Sequence, residues 1–262
     1  MRDTLRSPGT EGNRDFRLSN SVDTIALMNQ LLRETTMVLA LLKKELRETR
    51  AFASLAVALY LIFLSNLTGK GNLLLNIMVD FLPGMTDKPP DIPFVEGNFN
   101  SILGFIGGAL AIALGFRQSA WEPSQGTALY LLHLPMTRRK IFLTKLVTGI
   151  GVLLVCTLLP ILIYATWAAL PRTHPGPFEW SMTEGSFRIW LILPLVYLGA
   201  FASGIRQARW FGSRLLPLVS VLVPATFLTV LPHWWLIGLP LLCLMTTAFV
   251  SVIFWEAETR DF

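Results

Sequence analysis

Six apolar runs, each close to the length of a membrane-spanning helix, recur along the sequence, and they limit which folds the chain can adopt. A helix needs about 20 mostly apolar residues to cross roughly 30 Å of hydrocarbon. The segments between the runs are too short to cover six such surfaces in water. We therefore expect an all-α integral membrane domain over 51–262, with spans at about 51–68, 101–116, 141–170, 189–205, 215–231 and 234–255.

The composition agrees with a membrane protein. Only 15% of the 262 residues are charged and 53% are hydrophobic, whereas soluble domains carry roughly a quarter charged residues. The two cysteines, Cys156 and Cys243, fall inside apolar runs. Small, inert core residues are therefore a better interpretation of them than a disulfide or a metal pair.

Two polar segments precede the first apolar run. Residues 1–22 are polar and mixed in charge, contain no apolar signal sequence, and are predicted to form a disordered cytoplasmic tail. Residues 23–50 place leucines at helical spacing beside charged residues. This pattern is typical of an amphipathic helix lying in the bilayer surface, an interfacial elbow before the first span. A soluble helix packing on a partner remains the alternative.

The basic residues predict the orientation of the chain. If both termini and the links after spans two and four are cytoplasmic, the other side holds only Lys70, Lys88, Arg172 and Arg188. These four leave 18 of the 22 lysines and arginines on the cytoplasmic side, in keeping with the positive-inside rule. We expect a multi-pass protein of the cell inner (cytoplasmic) membrane with both termini inside.

The link between spans two and three, 121–145, is the most informative segment. A short amphipathic stretch, 125–134, ends at Pro135, and a second helix restarts with Thr137 as a predicted cap and continues into span three. A rigid helix exposed on the cytoplasmic face is an element that a soluble motor subunit could bind and displace. An ordinary basic loop would explain the charges but not this ordered pattern.

This link resembles that of the membrane permeases of type-2 ABC exporters, the ABC-2 family. In that family it reads Glu, three residues, Gly-Thr, an aliphatic stretch, Leu-Pro, a small hydroxyl residue, Arg, and a Lys seven positions on. The chain has the matching residues without a gap: Glu122, Gly126, Thr127, Leu131, Leu132, Leu134, Pro135, Thr137, Arg138 and Lys145. The earlier run L-L-K-K-E-L-R-E is similar to the family's elbow helix and contains Lys44, Glu45 and Arg47.

The resemblance implies both a role and partners. Residues 122–134 would form a coupling helix that docks on a separate ATPase subunit, present in two copies, with ATP and Mg bound there and not on this chain. A second permease chain, identical or related, would face this one, with substrate moving between them. One departure matters, because only Pro232 and His233 separate spans five and six. A re-entrant hairpin typical of relatives that handle polymers or sterols has no room there, which puts a large polysaccharide cargo in doubt.

Missing motifs narrow the function further. No phosphate-binding G-x-x-x-x-G-K-[ST] motif occurs, since Leu64 stands where the first glycine before Gly69-Lys70 would be. The three histidines are scattered, so we expect no metal, cofactor or catalytic site and no nucleic-acid partner. Part of the third run is expected to extend into the cytoplasm with Lys145, and no Asp, Glu, Lys or Arg then falls at the predicted membrane depth. This disfavours a proton-coupled transporter. An amphipathic or lipid-like cargo fits better. The alternatives are a membrane-anchored assembly component without transport and, less well supported, a lipid-modifying enzyme.

Small residues form stripes on spans two and four. Gly104 and Gly108 lie four apart, as do Gly107, Ala111 and Gly115, and later Gly199 and Ser203. Such stripes allow helices to approach closely. Close packing within the chain and a gating interface between chains are equally compatible with them.

Overall fold

The computed structural model describes residues 12–68, 92–95, 98–121, 137–171, 173, 176–206 and 210–259, with the side chains of 12–27, 29–31 and 211 left out. These residues form six α-helices and one short 3-10 helix, Trp180–Thr183, and contain no strand. The α-helices are α1 Gly12–Leu67, α2 Asn98–Ser119, α3 Arg138–Ala168, α4 Glu184–Ile205, α5 Phe211–Val230 and α6 Gly238–Thr259.

Six stretches of these helices are long and apolar enough to cross a membrane. They are Leu32–Leu67, Asn98–Ser119, Arg138–Ala168, Trp180–Ile205, Gly212–Val230 and Gly238–Thr259. Each overlaps one of the predicted spans, so the prediction of an all-α fold with six candidate spans is confirmed. On length and composition the chain is a multi-pass membrane protein.

Helix α1 differs from the prediction for the N-terminal region. It is one continuous helix of 56 residues that includes both the predicted elbow, 23–50, and the predicted first span. It also begins at Gly12, inside the segment predicted to be a disordered tail. No glycine or proline occurs between Gly12 and Gly69 to break it. The structure therefore does not show an elbow helix separate from the first span.

The elbow segment contacts the rest of the protein through one face. Leu41, Glu45 and Thr49 recur every four residues and are all buried, as expected of one stripe on a helix. Arg47, between them, is exposed. Through this stripe the elbow segment reaches α2 and α3, where Glu45 contacts Gln118 and Lys145. Taken as a whole, α1 makes its most extensive contacts with α3.

The start of α3 agrees with the predicted helix restart in position but not in detail. Thr137 occupies the N-cap position with extended backbone angles, φ −67° and ψ 140°, and its carbonyl accepts the Lys140 amide at 3.0 Å. Its hydroxyl makes no capping hydrogen bond. The helix therefore begins where the sequence predicted, although the Thr137 side chain does not cap it.

Helix α4 lies at the centre of the bundle, with contacts to α2, α3, α5 and α6. Its residues from Ile192 to Ile205 are nearly all buried. Successive helices α2 to α6 run in opposite directions, which gives the bundle two ends. We call the end with Ser119, Arg138, Ile205 and Thr259 the basic end. The other, with the aromatic cluster of Phe94, Phe99, Tyr164, Trp167 and Phe178, is the aromatic end.

The small-residue stripes differ in how closely other parts of the chain pack on them. A Cβ added at Gly115 would lie 2.7 Å from the Ala200 Cβ and 2.9 Å from the Phe201 amide nitrogen, so α2 and α4 pack closely there. By contrast, a Cβ at Gly108 would meet no atom within 4 Å. The Gly107–Gly115 stripe serves packing within the chain. On the other stripe only Gly108 faces open space, since a Cβ at Gly104 would lie in ordinary contact with Ile189 Cγ2, at 3.7 Å.

Candidate functional site

The predicted site residues separate into two groups in the structure. Glu122, Gly126, Thr127, Leu131, Leu134 and Pro135 lie outside the described residues. Arg138, Lys145, Lys44, Glu45 and Arg47 are described. The described residues that flank the predicted coupling helix, Trp121 and Thr137, both lie at the basic end, where α2 ends and α3 begins.

Two of the described site residues meet in a buried polar network at the basic end. Lys145 Nζ on α3 lies 4.0 Å from Glu45 Oε1 on α1 and donates to the Gln118 carbonyl at 3.3 Å. The Gln118 side chain donates to Glu45 Oε2 at 3.0 Å, and the Tyr197 hydroxyl donates to Gln118 Oε1 at 2.6 Å. Side chains from α1, α2, α3 and α4 are thus joined in one cluster, which we call the Glu45–Lys145 network.

The network is shielded from solvent. Glu45 is 1% exposed, Lys145 is 5% exposed, and Tyr197 is fully buried. Charged groups in such surroundings are tolerated only when they are paired and hydrogen-bonded. Gly149 makes room for the cluster, because a Cβ there would overlap both Gln118 Oε1 and the Tyr197 hydroxyl. The Glu45–Lys145 network therefore fixes the relative positions of four helices.

A more exposed set of ion pairs surrounds the network at the basic end. Lys140 Nζ reaches Glu34 Oε2 at 2.6 Å, Arg139 pairs with Glu258 on α6, and Glu48 lies 3.6 Å from Lys44 and 3.4 Å from Arg117. Several of these side chains are a third or more exposed. Exposed pairs contribute only about 0–1 kcal/mol each, so the buried pair dominates the electrostatics of this end.

The sequence interpretation missed the pairing, although signals for it were present. Lys145 falls within the predicted third span, and Glu45 falls on the stripe of Leu41 and Thr49. A charge on a buried face is rarely left without a partner, so each residue needed an opposite charge on another helix. Gln118 and Tyr197, polar residues within or at the end of apolar runs, were further signals. Only knowledge of helix neighbours could have joined them.

A second feature is an open groove between α2, α4 and α5. Its volume is about 360 Å³, and its walls are mostly small and aliphatic residues. Gly104 and Gly108 lie on α2, Val196 on α4, and Thr226 and Thr229 on α5. Since no charged residue lines it, the groove suits an apolar or amphipathic surface rather than an ion.

Neither feature contains a cluster of metal-ligating residues. Across the described part of the chain, no three His, Cys, Asp or Glu side chains are grouped as a metal site would require. The Glu45–Lys145 network lies out of reach of solvent, so its natural role is to hold helices in register. No protein-family model matches the sequence, and neither does any curated protein or solved structure.

Proposed function

We propose that this chain is the membrane permease subunit of an ATP-dependent ABC exporter of the ABC-2 type. The observation that carries the proposal is the gapless match of 122–145 to the coupling segment of that family, from Glu122 through Gly126 and Pro135 to Lys145. In the proposed complex two such chains, identical or related, assemble with two ATPase subunits that bind ATP and Mg.

The geometry at the basic end supports this role. Segment 122–136 begins after Trp121, three residues beyond Gln118, and ends before Thr137, which is eight residues before Lys145. Both Gln118 and Lys145 belong to the Glu45–Lys145 network. A displacement of the segment by an ATPase would therefore act on α1, α2, α3 and α4 together, because buried paired groups resist local rearrangement.

The proposal includes an orientation and a class of cargo. The basic end faces the cytoplasm, because most lysines and arginines belong to segments at this end. Both termini then lie on the cytoplasmic side of the membrane. The groove with Gly104 and Gly108 has no charged lining, which favours an amphipathic or lipid-like cargo that moves along the face between two chains.

The test uses the chain together with a candidate ABC ATPase, chosen as one whose gene adjoins the gene of this chain. We expect the two to copurify, and we expect ATP hydrolysis in lipid discs to rise when cargo is added. Glu122→Ala and Gly126→Leu should lower transport per ATP hydrolysed while the protein still inserts. Glu179→Ala, an exposed carboxylate at the aromatic end, and Gly151→Leu, where a Cβ meets no atom within 4 Å, are matched controls.

The outcome separates this proposal from its alternatives. If both test variants copurify with the ATPase and transport at the normal rate, the segment is an ordinary loop and the proposal fails. If the ATPase binds but no cargo moves in proteoliposomes, the chain is an assembly component of ABC-2 architecture. A lipid-modifying enzyme would show turnover without any ATPase, which we do not expect.

A further inference from the structure

A second cavity opens at the basic end, on a different side of α2 from the groove. Its volume is about 640 Å³ and it lies between α1, the end of α2 and the start of α5. It is lined by Phe52, Ala113, Phe116, Arg117, Trp121 and Arg214, together with Ala120. Two arginines and no acidic residue line it, so the lining is positively charged, although Glu48 beside the cavity pairs with Arg117.

Both arginines have hydrogen-bonding capacity that the described residues do not use. Arg117 Nη2 lies 3.4 Å from Glu48, but Nη1 is buried and has no acceptor among those residues. Arg214 Nη2 donates to the Gly204 carbonyl at 3.4 Å, and its buried Nε likewise has no acceptor in the described part of the chain. A buried donor without an acceptor is costly. The rest of each side chain is reachable: the Arg117 side chain is 21% exposed and both arginines line the cavity. A small rotation of either guanidinium would let an anionic oxygen in the cavity accept from it.

The cavity has the layout that an amphipathic ligand requires. Its charged groups lie at the end of the bundle, where Arg117 is in the last turn of α2 and Arg214 in the first turn of α5. Its apolar walls lie deeper, since Ala113 is one helical turn, or about 6 Å, further into α2 than Arg117. A polar head above an apolar body fits a lipid better than a free anion.

Aromatic residues place the cavity mouth at the level of lipid headgroups. Trp121 and Trp210 are exposed beside it, at 51% and 74%, and tryptophan is enriched at the boundary of a bilayer. The Arg117 guanidinium lies 4.8 Å from the centroid of the Trp121 ring, which holds it at the mouth. Basic pockets between membrane helices are suited to anionic headgroups.

We propose that this cavity binds an anionic phospholipid, with its phosphate on Arg117 and Arg214 and the upper part of an acyl chain against Phe52, Ala113 and Phe116. The site is distinct from the predicted coupling segment and does not depend on export. It would hold a lipid of the surrounding membrane whether or not the chain moves cargo.

The test compares lipids retained by the purified full-length chain in native mass spectrometry, from micelles that contain equal amounts of phosphatidylglycerol and phosphatidylcholine. We expect retention of phosphatidylglycerol over phosphatidylcholine. Arg214→Gln, which leaves the Arg117–Glu48 pair intact, should lower that preference about tenfold, the effect of losing one charge-assisted hydrogen bond. Arg117→Gln should do the same.

The control is Arg50→Gln, which removes an exposed arginine of α1 at the same end but outside the cavity. We expect it to change the preference less than about twofold, since exposed charges are screened. Ala113→Leu adds bulk to the apolar wall without changing charge and should also displace the lipid. It keeps the proposal testable if an arginine variant fails to fold.

Three results would overturn the proposal. The two lipids could be retained equally, or Arg50→Gln could lower the preference as much as Arg214→Gln, which would indicate only a general attraction of the basic end for anionic surfaces. The third is displacement of the lipid by inorganic phosphate, which would show that the site binds small soluble anions. The coupling variant Glu122→Ala tests the proposed export function, and its outcome neither supports nor contradicts the lipid site.

Discussion

The Glu45–Lys145 pair offers the sharpest test of the structure, through the variants Glu45→Gln and Lys145→Met. Their charged atoms lie 4.0 Å apart with both side chains almost fully buried. At the effective dielectric constant of about 20 that suits protein sites, charges at this distance attract by about 4 kcal/mol. Removing one member of a buried pair typically costs about 3–5 kcal/mol, because the other charge stays buried without it. We expect each single variant to be destabilised by about 3 kcal/mol.

The double variant Glu45→Gln/Lys145→Met isolates the interaction. Since it leaves no charge uncompensated at this position, it should be destabilised by less than the sum of the two single variants. We expect a coupling energy of about 1–3 kcal/mol, in the range of residues in direct contact. The measurement is reversible unfolding in mixed micelles, followed by circular dichroism and by tryptophan fluorescence, so that coincident transitions confirm two-state behaviour.

A second ion pair between the same two helices provides the control. Lys140 Nζ and Glu34 Oε2 are closer, at 2.6 Å, but the side chains are 46% and 33% exposed. Lys140→Gln should therefore cost less than about 1 kcal/mol, despite the shorter distance. If Lys140→Gln destabilises the protein as much as Lys145→Met, or if the Glu45 and Lys145 variants are additive, burial does not control the strength of these pairs and the reasoning is refuted.

Three further predictions address packing, orientation and energy coupling. Gly149→Ala should cost about 1–3 kcal/mol in the same unfolding assay, because its Cβ would overlap the Glu45–Lys145 network. Gly151→Ala lies in open space on the same helix and should be neutral or stabilising by up to about 1 kcal/mol. Equal effects of the two variants would contradict the packing at Gly149. Ser181 and Thr137 are exposed at opposite ends of the bundle. In a background without native cysteines, Ser181→Cys should react with an impermeant thiol reagent in intact cells, and Thr137→Cys should react only after permeabilisation. Labelling of Thr137→Cys in intact cells would contradict the proposed orientation. Transport in proteoliposomes at constant ATP should persist when the proton gradient is collapsed, and its loss would restore a proton-coupled mechanism.

The number and rough positions of the helices were predictable because hydrocarbon imposes a length on each apolar run. The helix ends were not. The second span was predicted at 101–116, whereas α2 covers Asn98–Ser119. Similarly, α4 begins at Glu184, five residues before the predicted 189, and its first turn carries an ion pair from Glu184 to Arg188 at 2.6 Å. Hydropathy reports where lipid contacts end, whereas a helix continues as long as its backbone hydrogen bonds do.

The candidate site was predictable only in part, for a different reason. The coupling motif identified Lys145 and assigned it to coupling. The elbow run identified Glu45 and assigned it to an interfacial helix. Their contact joins positions 100 residues apart in the sequence. No local pattern contains that information, because it depends on which helices are neighbours. The same holds for Gln118 and Tyr197, which link α2 and α4 to the pair.

A buried ion pair and the absence of ionisable groups at membrane depth are compatible once helix lengths are considered. The candidate span Leu32–Leu67 has 36 residues and is about 54 Å long, far more than the roughly 30 Å of hydrocarbon. Measured back from Leu67, about 30 Å ends near Glu48, so Glu45 lies about a turn beyond the apolar layer. On α3 the distance from Ala168 to Lys145 is about 35 Å, which places Lys145 at the same level. On these lengths both residues lie just beyond a roughly 30 Å apolar layer, and the surrounding protein buries the pair. In the proposed complex, a displacement of segment 122–136 would act on this pair through Gln118 and Lys145, which lie three and eight residues from Trp121 and Thr137, the described residues that flank the segment.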